Sequence, residues 1–159
     1  MIQKIIIYLF LASSLFAQTY NFTELRYSDA INRFTQLEGK ISFNTDGLNI
    51  SYEQNAREID YKNGVLLYYE NGKEVSLPDM QASKMMQYFD TLSLLHQGDE
   101  SELEAMFEIE NQANIKILKP LGVIKNYINF IELRKYENKL QYIKLFLKNN
   151  DTISININD

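Results

Sequence analysis

His96 is the only imidazole in the chain, so any imidazole chemistry rests on it alone. A Ser-His-Asp hydrolase would need its partners brought in from elsewhere, and no G-x-S-x-G nucleophile turn is present. The residue sits in Leu94-Leu95-His96-Gln97-Gly98-Asp99, at the end of a helical pattern, where a cationic side chain complements the helix dipole. That structural role outweighs a catalytic one. Metal binding by one His plus carboxylates is weak for the same reason. Glu100, Glu102 and Glu104 could suggest a calcium cluster, but acidic residues are also favoured in the first turn of a helix, and we take them as that. No phosphate loop or dinucleotide fingerprint exists, and the absence of cysteine removes thiolate metal sites, disulfides and a thiol nucleophile. Asn21-Phe22-Thr23 matches a glycosylation sequon, a pattern frequent by chance. The expectation is a protein that is not an enzyme and uses no cofactor and no metal.

What remains is apolar. Met80, Met85, Met86 and Met106 are core residues by default, yet flexible thioethers also suit a surface that adapts to variable apolar cargo. Apolar residues make up 45% of the 159 and charged ones 23%, a globular composition. The net charge of −5 argues against coating nucleic acid.

The elements that would position such a surface are legible. Residues 1–17 look like a secretory signal: Lys4, then the short apolar run Ile5–Phe16, then small Ala17 at the cut. That run is shorter than the roughly 20 residues of a bilayer-spanning helix. Cleavage after Ala17 leaves residues 18–159 as one domain. Thereafter period-two alternation recurs. Leu37, Gly39, Ile41 and Phe43 share a face, as do Leu48, Ile50 and Tyr52, and Ile153, Ile155 and Ile157. Asn63-Gly64 and Asn71-Gly72 are type I′ hairpin signals, with Asp46-Gly47, Glu137-Asn138, Asn111-Gln112 and Asn149-Asn150-Asp151 as further turns. Val65–Glu70 is apolar on both faces, as a central strand or one lining a cavity would be. Later strands are expected at Phe107–Glu110, Asn114–Leu118, Tyr127–Tyr136, Leu140–Lys148 and Thr152–Asn158. One helix is expected over Met80–Leu95, with Asp79 as N-cap and Gly98 as the C′ residue; Ala82, Met85, Met86, Phe89 and Leu92 form its stripe. Asp99 and Glu102 form a capping box for a second helix, Glu100–Met106. The pattern predicts an antiparallel meander with two helices inserted after about the sixth strand.

The order of these motifs resembles the LolA-like periplasmic lipoprotein-carrier family, and more closely its smaller, uncharacterised branch. Phe22-Thr23-Glu24-Leu25-Arg26-Tyr27-Ser28 resembles the family's opening F-x-E/Q strand. Leu37–Phe43 is similar to its s-G-x-l-x-f strand, and Asp46-Gly47-Leu48 to the turn after it. Asp60–Tyr69 resembles the i-x-d-G-x-x-l-x-x-y hairpin; Leu94–Asp99 with Leu103 and Phe107 resembles l-L-x-G-D-x-x-x-L-x-x-x-F; Lys116–Pro120 resembles w-x-L-x-L-x-P. The family's gating arginine has no counterpart, Asn44 and Thr45 lying in that region, and Ile or Tyr fills its Trp positions.

The resemblance implies an α+β fold, a strongly curved antiparallel sheet (an unclosed β-barrel) covered by short helices. It implies a periplasmic carrier, a monomer, that shields the acyl chains of a lipoprotein or lipid between inner and outer membranes. An inner-membrane exporter and an outer-membrane acceptor would be its partners, and nucleic acid would not. The alternative is an adaptor or sensor domain of the same fold that binds a protein and carries no lipid. By strand parity the cavity would take Leu37, Ile41, Phe43, Leu48, Ile50, Tyr52, Val65, Leu67 and Tyr69 from the sheet. Met85, Met86, Phe89 and Leu92 would face them from a mobile helix. A one-residue slip in register would exchange the faces.

Overall fold

The computed structural model describes residues 18–158, so the signal segment and its cleavage site lie outside the described residues. The chain opens with six strands: β1 (Gln18–Ser28), β2 (Arg33–Asn44), β3 (Gly47–Tyr52), β4 (Arg57–Lys62), β5 (Val65–Glu70) and β6 (Lys73–Glu74). Two helices follow, α1 (Asp79–Gln97) and α2 (Glu100–Met106). Then come β7 (Phe107–Gln112), β8 (Ile115–Pro120), a 3₁₀ turn (Gly122–Asn126), β9 (Ile128–Tyr136), β10 (Lys139–Leu147) and β11 (Thr152–Asn158). The helices fall after the sixth strand, as the sequence pattern has it.

All eleven strands form one antiparallel sheet in the order β6-β5-β4-β3-β2-β1-β11-β10-β9-β8-β7. Consecutive strands pair within β1–β6 and within β7–β11, and the two halves meet at the centre. There β1 holds β2 on one side and β11 on the other, joining the two halves of the chain. The sheet is unclosed, with β6 and β7 as its edges. β6 is only two residues long and β7 presents Glu108 and Glu110, devices that discourage pairing with another chain. α1 packs on β3, β5 and β10 at once. β5 and β10 are six steps apart in the strand order, about 29 Å in a flat sheet at roughly 4.8 Å per step. Twist and coiling bring them to one helix, so the fold is an α+β curved sheet around α1.

The turn chemistry is largely as the sequence dictates. Asn63-Gly64, Asn71-Gly72 and Glu137-Asn138 all have positive φ at both central residues, the type I′ geometry. Gly47 instead is required by close approach, since a Cβ there would lie 1.9 Å from the Tyr61 carbonyl oxygen. Three local expectations are corrected. The β7–β8 turn is Ala113-Asn114, with Ala113 at φ +50°, and not Asn111-Gln112, which stay paired in the ladder. α1 is capped by Pro78 with no side-chain hydrogen bond, and Asp79 is its first residue. Gly98 is extended, and its Cβ would meet the Leu94 carbonyl oxygen at 2.5 Å, so a side chain is excluded by crowding and not by handedness. The Asp99–Glu102 capping box forms in both directions.

The core lies between the concave face and the helices. Phe89, Leu92 and Leu95 of α1 are almost fully buried, against Ile41, Leu48 and Ile50 on one half and Ile131, Ile143 and Leu145 on the other. Each such side chain stabilises the fold by about 1.5–3 kcal/mol relative to exposure.

Candidate functional site

The carboxyl-terminal half of α1 is fixed to the sheet. Tyr61 donates its hydroxyl proton to Asp90, Gln97 Nε2 donates to the Asn44 carbonyl, and Lys135 Nζ donates to the His96 carbonyl at 3.2 Å. His96 stacks on Phe43. Burial, with the Lys135 charge beside it, holds the His96 imidazole down at about 4, so it is neutral at physiological pH. Burial outweighs the helix dipole here. The expected cationic helix end is thus corrected: the sequence shows the helix end but not the packing around it.

Towards its amino terminus α1 stands off the sheet. A cleft of about 690 Å³ lies beneath Met80–Thr91, within the range of roughly 300–1,000 Å³ typical of small-molecule sites. Its roof is supplied by Met80, Met85, Tyr88 and Phe89. Its walls come from Leu37, Tyr52, Ile59 and Tyr68 on one side and Ile128, Leu145, Leu147 and Ile153 on the other, with Ile124 and Tyr127 at one end. The lining is therefore mainly apolar and aromatic, and opposite halves of the sheet contribute to it.

Of the residues the sequence parity places in a cavity, Leu37, Tyr52, Met85 and Phe89 line this cleft. Ile41, Phe43, Leu48, Ile50 and Leu92 lie in the closed core beside it, and Met86 is partly buried against that core. Val65, Leu67 and Tyr69 require correction. In β5 they pair with Lys62, Asp60 and Glu58, on the face away from α1, while Leu66 and Tyr68 pair with Tyr61 and Ile59 and turn inward. The strand is apolar on both faces, so parity had no polar residue to fix it. Ile59, Tyr68, Ile128, Leu145, Leu147 and Ile153 join the cleft without having been singled out. Their signal is the alternation in β4, β9, β10 and β11 once its phase is known.

A fully buried charge sits on the concave face at β1. Glu24 is fully buried in the middle of β1, on the same face as Phe22. It accepts hydrogen bonds from Arg26 Nε and, at 3.1 Å, from the Tyr52 hydroxyl, and Arg26 Nη2 reaches the Tyr52 oxygen at 3.4 Å. Burial disfavours the Arg26 charge, but the Glu24 carboxylate outweighs it and holds the guanidinium above its ordinary pKa. Burial and the Glu24 charge push the Tyr52 and Tyr88 hydroxyls up, so both stay protonated. Glu24 lies behind this cluster; Arg26, 45% exposed along its side chain, opens into the cleft.

A second cavity, about 600 Å³, lies near the end of α1 between α2 and the β7–β8 turn. Asp99, Glu100, Lys116 and Lys135 line it, and Glu100 pairs with Lys116 at 2.8 Å across it, so its charges are largely internally matched. Among the described residues no group of His, Asp or Glu side chains is placed to hold a metal ion, and no helix is long and apolar enough to cross a membrane.

No family model and no curated protein matches the chain. Among solved structures, it is similar to a domain from Vibrio parahaemolyticus described as an outer membrane lipoprotein-sorting protein. The two share 10% identity at a TM-score of 0.44, over 89% of this chain and 83% of that one. At that identity and score the likeness does not place the chain in that family.

Proposed function

We propose that the protein is a periplasmic carrier that holds the acyl chains of a lipid or lipoprotein in the cleft beneath α1 and moves them between inner and outer membranes. One observation carries this reading: an apolar cleft of about 690 Å³ inside the curve of the sheet, roofed by the half of α1 that has the fewest ties to it. Shielding an acyl chain from water is worth about 0.8 kcal/mol per CH₂, so a lipid anchor needs such a cleft to cross an aqueous compartment. Release needs the reverse to be easy. The roof suits that, since Met80 is 72% exposed and Met85 only partly buried, while Phe89, Leu92 and Leu95 remain anchored as the pivot. Met85 and Phe89 supply the roof contacts, and Leu37 and Tyr52 part of one wall. The chain reaches the periplasm through residues 1–17, cut after Ala17; an intact mass retaining Met1 would contradict this.

The test is native purification followed by mass spectrometry of bound lipid, together with binding of a neutral apolar fluorophore to wild type and Met85→Glu. A carboxylate among acyl chains is unpaired and costly. Wild type should carry lipid and bind the fluorophore, and the folded variant should do neither. A folded wild type that binds no apolar ligand would favour a protein-binding adaptor of the same fold.

A further inference from the structure

The charges lining the cleft have one sign. Arg26, Arg57, Lys84 and Lys148 line it, and no aspartate or glutamate does, in a chain where acidic residues outnumber basic ones 21 to 16. Two of the four have acidic neighbours outside the lining. Arg26 is bound to buried Glu24, and Arg57 lies 4.0 Å from Glu70 with both side chains half exposed. Lys84 and Lys148 have no carboxylate within ion-pair distance among the described residues, so their charge is uncompensated by the protein. Lys84 comes from the roof, on α1, and Lys148 from the turn that follows β10. Tyr88 adds a buried hydroxyl beside Glu24, which burial and that carboxylate keep protonated. α1 also begins at this cleft without a side-chain cap, so the positive end of its dipole adds to the same sign, with Asp79 opposing it in part.

We infer that the cleft selects an anionic amphiphile, an acyl chain ending in a carboxylate or phosphate group. The tail lies between the apolar walls and the head group is held between Lys84 and Lys148 near Arg26. A neutral tail needs none of these cations, and a cationic head would be repelled by them. The arrangement also explains why Glu24 is tolerated. It fixes the Arg26 fork against Tyr52, and the remaining lysines leave the cleft positive. This inference rests on the acyl-cleft reading above and adds the chemistry of the head group.

The experiment compares amphiphiles of equal chain length on the mature protein: dodecanoic acid, dodecyl phosphate, dodecanol and dodecylamine, each displacing the neutral fluorophore N-phenylnaphthylamine. The acid and the phosphate should bind about tenfold more tightly than the alcohol at low salt, with the amine weakest. The preference should shrink as salt shortens the screening length to about 8 Å at physiological ionic strength. In a Lys84→Gln, Lys148→Gln double variant the ratio of acid to alcohol affinity should fall to within about threefold of one. Both positions are at the surface, so the fold is retained, and displacement by the alcohol verifies it. Equal affinity for acid and alcohol in wild type, or an unchanged ratio in the double variant, overturns the inference and leaves the acyl-cleft reading standing. Binding of none of the four overturns both. Carboxylate and phosphate heads are told apart by their relative affinities; free phosphate displacing neither fluorophore nor acid shows that the tail is required.

Discussion

The His96 imidazole lies flat on the Phe43 ring, with centroids 3.7 Å apart and planes within 6°. Tyr20 meets the same imidazole edge-on at 5.9 Å, and its Nδ1 is buried without a hydrogen-bond partner. The contact ties the end of α1 to β2, where burial and the Lys135 charge keep the ring neutral. His96 is depressed from 6.5 to about 4 in the fold, so the unfolded chain binds the extra proton first as pH falls. Its contribution to stability is thus complete above about 6.5 and is lost as pH drops towards about 4. The slope is below the limit of about 1.4 kcal/mol per pH unit, because the ring is only partly buried. Denaturant melts of wild type and His96→Phe across pH 4 to 8 check this. The two curves should diverge only within that window, and a pH-independent difference would contradict it.

Glu24 and Arg26 should respond asymmetrically to substitution. Arg26→Met leaves a fully buried carboxylate without its cation, a loss of about 3–5 kcal/mol. Glu24→Gln leaves a guanidinium that is already 45% exposed and can turn to water, so it should cost less. Equilibrium unfolding of the two variants decides the order. A larger loss for Glu24→Gln would show that Arg26 is not free to move.

Gly39 faces Phe22 on β1 and Tyr52 on β3 in the ladder, and those two rings meet edge-on at 5.6 Å above it. A Cβ at Gly39 would stand 2.1 Å from the Ser51 carbonyl oxygen. Backbone must shift to admit it, so Gly39→Ala should destabilise by at least the roughly 1–3 kcal/mol usual for overpacking. It should also disturb the Tyr52 hydroxyl that holds Glu24. A thermal melt unchanged from wild type would contradict the close packing.

Much of this was legible in the chain. The Asn-Gly turns, the Asp99–Glu102 box, the helix pair and the strand alternation in β2, β3 and β11 all follow from local rules, and they recur in the structure. The cleft was only partly legible. Phase in β5 is undetermined when Val65 to Tyr69 is apolar throughout. Which stretch of α1 packs tightly and which stands off depends on the distance between β5 and β10, set by sheet curvature that no local pattern encodes. Phe22, Glu24 and Arg26 share one strand parity, so an inward ion pair was readable in principle. Its burial depends on Tyr52, which lies on another strand and completes the hydrogen bonding of Glu24.

The central claim is that apolar chains lie under α1, and photolabelling tests it most directly. A fatty alcohol with a diazirine in its tail would be bound, irradiated and located by peptide mass spectrometry. Saturable labelling should fall on cleft residues such as Tyr68, Met85, Ile128 and Leu145, and unlabelled alcohol should displace it. Absence of saturable labelling, or labelling confined to the outer-face residues Val65, Leu67 and Tyr69, would contradict the account.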